Sequence, residues 1–198
     1  ANGTDANAGA VGGAPLRLIL QSGPAPAIWV LDASGKPVRA TGGETQPLFP
    51  ELIFTPFELQ TPFNFWPDAR YVETRRVRGR PTHLFQLTPP EDFKRAHPEV
   101  GFIKIGIDKA YRAPLQTIIY DAKGKESRKL EAESFARVQQ RYYIPEEIRL
   151  LDLVSRDKDI FRVKAAALNL RFERNIFDPA TLDKAAAQPE EARFEKVE

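Results

Sequence analysis

The chain has 198 residues and a net charge of only +2, which gives no general case for a nucleic-acid partner. Cysteine is absent, which excludes disulfides, thiol nucleophiles and thiolate metal sites. Hydrophobic residues make up 42% of the chain, which suffices for a folded core and excludes wholesale disorder.

The two ends of the chain differ in composition from its middle. Residues 1–14 are small and polar and predict a flexible leader. We expect a single domain over residues 15–187, and a charged tail, 188–198, that frays. Methionine is absent, so we expect the chain to have been processed or truncated before its first residue. The small, polar opening segment favours an exported protein. No window approaches about 18 consecutive apolar residues, and we therefore expect no transmembrane segment.

The first elements in chain order are short strands followed by a proline-rich segment. Alternating apolar residues from Leu16 to Leu20 predict a strand, and Ala27–Leu31 predicts the strand that returns beside it. Residues 47–67 then combine frequent prolines with aromatic side chains, which excludes a central strand or a long helix. We expect this segment to form short helical pieces, one of them capped by Thr55, that cover the open side of a sheet.

The second half of the chain predicts an up-and-down antiparallel sheet. About six extended runs lie between Gly79 and Phe172, separated by turn residues. They are 82–87, 102–107, 115–120, 125–135, 137–144 and 159–172. A long curved antiparallel sheet with little chemistry on it is typical of a wall around an apolar ligand, so the pattern favours binding over catalysis.

No arrangement of reactive side chains along the chain predicts an enzyme. His83 and His97 lie in different elements, and neither belongs to a metal-binding motif such as H-E-x-x-H. No serine lies in a G-x-S-x-G elbow, and no glycine-rich loop has the flanking strand and helix of a phosphate site. We therefore predict a non-enzymatic protein that needs no cofactor and no metal.

Two groups of residues are candidates for a binding site. Aromatic side chains of the proline-rich segment could line an apolar pocket or could form a plain core. The run from Arg75 to Arg80 would place Arg76, Arg78 and Arg80 on one face of a strand, where they could contact a lipid headgroup or a protein partner. The alternative is a solvated edge that resists pairing with other strands.

The chain resembles the outer-membrane lipoprotein-sorting (LolA-like) family. The segments that carry the resemblance, in the family's order, are 55–59, 62–67, 77–81, 105–108 and 120–125. The first two follow the family's T-x-x-D-L and F-x-x-W pattern, with Glu58 where the family commonly has aspartate. The resemblance implies a mainly β (α+β) fold, in which a curved antiparallel sheet forms an unclosed β-barrel lidded by short helices.

The resemblance also implies a function. It implies a monomeric periplasmic carrier that shelters lipid or lipoprotein acyl chains, with an inner-membrane donor and an outer-membrane acceptor as partners. An envelope sensor that binds a protein partner, similar to RseB, is the alternative. Candidate residues for the cavity wall and lid are Trp29, Phe63, Phe65, Trp66, Ile103, Ile105 and Ile107. Arg76, Arg78 and Arg80 are the candidates for headgroup or partner contact.

Overall fold

A computed structural model describes residues 17–40, 43–172, 176–184 and 189–197 of the chain. The predicted leader, 1–14, and the predicted domain boundary at 187 lie outside the described residues. The strands are β1 Leu18–Gln21, β2 Ala27–Leu31, β3 Pro37–Arg39, β4 Asp68–Val77, β5 Arg80–Thr88, β6 Val100–Asp108, β7 Pro114–Asp121, β8 Glu126–Val138, β9 Tyr142–Asp152, β10 Lys158–Arg162, β11 Ala165–Ala166 and β12 Glu195–Lys196. The helices are α1 Pro56–Gln60 and α2 Glu91–Ala96, with 3₁₀ turns at Pro62–Phe65, Pro179–Thr181 and Glu191–Arg193.

Seven strands form one curved antiparallel sheet in the order β10-β9-β8-β7-β6-β5-β4. Each strand pairs with its neighbour in sequence, as expected of an up-and-down sheet whose strands are joined by hairpins or one short helix. In the described residues the two edge strands, β4 and β10, do not pair with each other, so the sheet is not closed. The predicted fold class, a mainly β protein with an unclosed antiparallel sheet, is confirmed.

The strand register defines an inner face of this sheet. One row across the strands runs Tyr71, Phe85, Ile105, Thr117, Leu130 and Leu150, and the next runs Leu87, Ile103, Ile119, Arg128 and Asp152. Side chains directly opposite each other on paired strands lie on the same face. The inner face is therefore mainly apolar, and Arg128 and Asp152 are charged residues at one end of an aliphatic row.

Two predicted strands have different limits in the structure. The run predicted at 137–144 is divided, because Gln139 and Gln140 have positive φ angles of 49° and 53° and form a turn. Residues up to Val138 belong to β8, and β9 begins at Tyr142. The run predicted at 159–172 is also shorter, since β10 ends at Arg162.

Part of the charged tail pairs with the domain. Strand β12, Glu195–Lys196, is antiparallel to β11, Ala165–Ala166. The side chain of Glu195 also accepts a hydrogen bond from the backbone N–H of Gln139, at 2.9 Å. The prediction that the whole tail frays is therefore wrong at residues 195 and 196.

Helix α1 lies between β3 and β4 in the chain, and α2 lies between β5 and β6. Helix α1 begins at Pro56 with Thr55 as its N-cap, as the sequence predicts, and in the structure Glu58 completes a capping box. Strands β1, β2 and β3 form a separate three-stranded sheet. The side-chain amide of Gln60 donates to the carbonyl oxygens of Gln21 and Ala27, at 2.9 and 2.8 Å, and so ties α1 to this small sheet.

Candidate functional site

A lid of aromatic side chains covers part of the inner face of the seven-stranded sheet. We define the lid as residues 55–66, which contain α1 and the first 3₁₀ turn. Its buried aromatic residues, Phe57, Phe63 and Trp66, form one apolar cluster with sheet residues Leu87, Val100, Ile103, Ile105 and Ile119. Because the lid is too short to have a core of its own, burial of these three rings against the sheet supplies its apolar stabilisation.

The aromatic rings of the lid contact one another and one ring of α2. Phe57 lies 5.6 Å from Phe63 in an edge-to-face arrangement and 5.4 Å from Phe93 in a stacked one, measured between ring centroids. Trp66 lies 5.2 Å from Phe93 and 6.3 Å from Phe63. These separations are in the range where aromatic pairs add to the effect of area burial. Phe93 therefore joins α2 to the lid.

The structure brings together most of the residues predicted for the cavity wall and lid. Phe63, Trp66, Ile103 and Ile105 lie in the cluster, and Ile107 is half-buried and packs against it. Phe65 lies on the same 3₁₀ turn as Phe63 but is 51% exposed.

Trp29 lies away from the other predicted residues. It is on β2 of the three-stranded sheet, half-buried and outside the described lid cluster. Its indole Nε1 is buried without a hydrogen-bond partner among the described residues. We therefore leave Trp29 out of the candidate site.

A buried ion pair holds the N-terminal end of the lid on the sheet. Glu58 Oε1 of α1 lies 2.7 Å from Nε of Arg128 on β8, and the carboxyl side chain is only 3% exposed. The backbone N–H of Thr55 donates to Glu58 Oε2 at 2.9 Å, and the Thr55 hydroxyl donates to the same oxygen. Burial raises the pKa of Glu58, although the nearby Arg128 charge and the Thr55 hydrogen bonds act in the opposite direction.

Further hydrogen bonds tie the two residues before the lid, Ile53 and Phe54, to β8 and β10. Arg128 donates to the carbonyl oxygen of Ile53. Asp159 Oδ2 on β10 accepts from the backbone N–H groups of Ile53 and Phe54, at 2.7 and 3.1 Å. Polar contacts from two strands therefore fix the chain immediately before α1, whereas aromatic contacts fix the chain after it.

A cleft of about 380 Å³ lies beside the ion pair. Phe57, Val100 and Ile119 form an apolar side of this cleft, and Glu58, Arg128 and Asp152 contribute charged groups. This volume is at the lower end of the range for small-molecule sites. The cluster itself is tightly closed, since Phe57 and Phe63 are each 2% exposed. A long chain could lie along the inner face only if the lid aromatic rings moved aside.

Sequence reasoning missed Arg128 and Phe93 as parts of this site. Arg128 is two residues before the inward-facing Leu130, so both side chains lie on the same face of β8. A single arginine on the apolar face of a strand is a signal by which sequence analysis could identify such a residue. Phe93 gives a weaker signal, because it is one aromatic residue in a short polar helix.

The three predicted arginines do not share a strand. Val77 pairs directly with Arg80, and Arg78-Gly79 forms the hairpin turn between β4 and β5, with φ angles of 49° and 79°. The prediction of one arginine face is therefore wrong, because the chain reverses direction inside the run. Arg78 Nη1 lies 2.6 Å from Glu133 Oε2, and Arg80 pairs with the carboxylate of Asp108.

Hydrogen bonds to the Asp108 carboxylate make its contribution to stability depend on pH. The hydrogen bond from Arg80 holds the pKa of Asp108 below its usual value, and backbone N–H groups of Ala110 and Tyr111 also donate to it. A carboxylate with a depressed folded-state pKa stabilises the fold above its unfolded-state pKa, and this contribution is lost as pH falls through the folded-state pKa. We expect Asp108→Asn to lower the urea midpoint near neutral pH, with a difference that shrinks below about pH 4. A difference that stays constant down to about pH 3 would contradict this assignment.

Within the described residues, no group of three or more His, Cys, Asp and Glu side chains is arranged to hold a metal ion. Among the helices that the structure describes, none has the length and apolar character needed to cross a membrane.

Solved structures with the same arrangement identify the fold. The chain is similar to an outer membrane lipoprotein-sorting protein domain from Vibrio parahaemolyticus, at 15% identity and a TM-score of 0.60, covering 81% of this chain and 67% of that one. It is similar to a DUF1329 family protein from Desulfovibrio piger, at 13% identity and a TM-score of 0.59, with coverages of 83% and 69%. A LolA superfamily protein from Nitrosomonas europaea matches at 15% identity and a TM-score of 0.56, with coverages of 77% and 65%.

These likenesses define a LolA-like fold, which confirms the resemblance found in the sequence. The chain spans about two thirds of the length of each of these structures. No curated protein matches the sequence. One family model, described as an uncharacterized protein, matches residues 31–184, and the chain belongs to that family.

Proposed function

We propose that this protein is a non-enzymatic carrier that shelters the acyl chains of a lipid or lipoprotein against the inner face of its sheet. The observation that carries the proposal is the aromatic lid, whose rings Phe57, Phe63 and Trp66 cover part of the inner face of an unclosed sheet. In this arrangement the lid occupies the apolar surface that an acyl chain would take.

The inner face remains apolar beyond the lid. Tyr71 on edge strand β4 lies in the same row as Phe85 and Ile105, and it is 56% exposed. Phe161 on the opposite edge strand, β10, pairs with Ile148 and is 55% exposed. Exposed rings at both open edges extend the apolar path along which a chain could lie.

The size of the hydrophobic effect is sufficient for binding without a polar anchor. Each buried CH₂ group contributes about 0.8 kcal/mol, so a chain of about sixteen carbons can offset the displacement of the lid rings. Such a site needs few distinctive side chains, which agrees with the lack of a catalytic set in the sequence. The similar lipoprotein-sorting domain supports a role in moving lipoproteins, and the same likeness supports a periplasmic location.

Tryptophan fluorescence tests the proposal, because the chain has only two tryptophans. In a Trp29→Phe variant, Trp66 of the lid is the sole tryptophan. A brominated stearate quenches a tryptophan that it contacts, so we expect saturable quenching of Trp66 on titration. In the matched Trp66→Phe variant, we expect Trp29 in the separate sheet to be unaffected.

Either of two results would contradict the carrier proposal. If the stearate did not bind at any soluble concentration, acyl chains would be excluded as the ligand. Binding that quenches Trp29 but leaves Trp66 unchanged would place the site on the three-stranded sheet instead. A protein that stays free of lipid and forms a stable complex with an envelope protein would favour the sensor function instead.

A further inference from the structure

One end of the seven-stranded sheet carries three hairpin turns. The turns joining β4 to β5, β6 to β7 and β8 to β9 lie at the same end, because alternate connections of an up-and-down sheet share an end. We define this hairpin end as residues 76–80, 108–112 and 137–143. The opposite end has helix α2 and the turns that follow β7 and β9.

The hairpin end is strongly basic. Its cationic residues are Arg76, Arg78, Arg80, Lys109, Arg112, Arg137 and Arg141. Asp108 is the only carboxylate within the same residues, and it is buried against Arg80. The whole chain has a net charge of only +2, so positive charge is concentrated here and the remainder is net negative.

Most of this positive charge is not neutralised by neighbouring acids. Lys109, Arg112 and Arg137 are exposed and form no ion pair with any described residue. Glu133, which approaches Arg78 from β8, is shared with Arg149 at 3.2 Å. Glu195 of the tail approaches this end through the backbone N–H of Gln139.

Exposed tyrosines lie among these cations. Tyr111 and Tyr143, on two different hairpins, are 60% and 57% exposed, and their ring centroids are 5.8 Å apart. The guanidinium of Arg80 lies 4.7 Å from the centroid of the Tyr111 ring, and that of Arg141 lies 5.5 Å from the Tyr142 ring. Tyrosine, with an apolar ring and a polar tip, is enriched at membrane interfaces.

Packing beneath the turns holds the hairpins in fixed positions. Val77, Leu84 and Leu115 form a second apolar cluster, and Phe135 of the β8–β9 hairpin packs against it. Arg112 has a φ of 55° in its turn, a conformation usually taken by glycine or asparagine. The turn tips that carry the cations are therefore supported by this cluster, so little backbone entropy is lost on binding.

We propose that the hairpin end docks on a membrane surface that contains anionic phospholipids. The cations lie on three separate turn tips rather than in one cleft, so an extended anionic surface can contact all of them together. Interspersed exposed tyrosines fit the headgroup region of a bilayer better than they fit a simple polyanion. The inference goes beyond the proposed carrier function, because adsorption to a membrane surface needs no lipid cavity.

Co-sedimentation with lipid vesicles tests this docking surface. The test variant is Lys109→Glu/Arg112→Glu at the hairpin end, and the matched control is Lys123→Glu/Lys125→Glu in the exposed β7–β8 turn at the opposite end. Both variants change the net charge equally. We expect the unaltered protein and the control to bind phosphatidylglycerol vesicles at low salt, with binding that weakens as salt is added. Each Lys or Arg near an anionic surface contributes roughly fivefold in affinity, so the test variant should bind at least tenfold more weakly.

The outcomes separate docking from lipid carriage. Quenching of Trp66 by brominated stearate, measured on the same variants, should be unchanged, since none of the four substituted side chains forms a hydrogen bond or ion pair with the lid in the described part of the chain. Equal loss of vesicle binding in both variants would show a general charge effect and overturn the proposal. Binding to an acidic protein or to DNA without binding to phosphatidylglycerol vesicles would also overturn it.

Discussion

Replacing Arg128 with alanine is expected to destabilise the fold by about 3–5 kcal/mol at neutral pH, because it leaves the buried Glu58 carboxylate without its charge partner. The loss should depend on pH. Burial already raises the pKa of Glu58, and removing the arginine raises it further. A carboxyl group with a raised folded-state pKa destabilises the fold more as pH rises through that value. The loss of unfolding free energy in Arg128→Ala should therefore be smaller at about pH 5 than at about pH 8, as measured by urea unfolding.

An exposed ion pair on the same sheet provides the control. Arg162 lies 2.7 Å from Glu147 and is 57% exposed, so Arg162→Ala should change stability little at any of these pH values. If Arg128→Ala unfolded at the same urea concentration as the unaltered protein, the ion pair would not hold the lid. A deficit that did not change with pH would mean that Glu58 is not the group left unpaired.

Replacing Trp66 with alanine is expected to cost about 3–5 kcal/mol, because it removes the largest ring from a cluster that cannot fully close around the gap. Trp66 is 9% exposed and contacts Phe57, Phe63 and Phe93. Because the Trp66 ring is also proposed to contact the bound acyl chain, its loss should weaken stearate binding. Urea unfolding and titration calorimetry with stearate measure the two effects.

Phe65 is the matched control for Trp66, since it is adjacent in sequence and belongs to the same lid. Its side chain is 51% exposed, so Phe65→Ala should change stability by only about 0.5 kcal/mol or less. Unchanged stearate binding in Trp66→Ala would show that the lid is not part of the binding site. A loss of stability in Phe65→Ala as large as that in Trp66→Ala would contradict the placement of Phe65 outside the packed cluster.

The sheet could be predicted from sequence because its strands alternate clearly. Ile103, Ile105 and Ile107 predict one buried face, and the structure places all three on the inner face beneath or beside the lid. The start of α1 was predictable for a local reason, since Thr55 and Pro56 supply a cap and a first helical residue. Such signals depend on neighbours in sequence and need no knowledge of the tertiary structure.

The arginine run shows where local reasoning fails. Gly79 signals a turn after a strand that ends at Val77, and the structure confirms this break. Arginine is uncommon in the left-handed conformation that Arg78 adopts, so the alternation of Arg76, Arg78 and Arg80 also fits one continuous strand. The pairing of Glu58 with Arg128 joins residues 70 positions apart in the chain, and no periodic signal connects them. These contacts arise only when the lid is placed on the sheet, which the resemblance predicts in outline but not by residue.

The most direct test of the carrier proposal is native mass spectrometry of the protein purified without detergent from its source organism, followed by organic extraction. The account predicts a fraction of molecules that carry one lipid or acylated peptide, and a smaller bound fraction in Trp66→Ala than in Phe65→Ala. A mass that corresponds to the polypeptide alone, and that stays so after incubation with acylated lipoprotein, would contradict it.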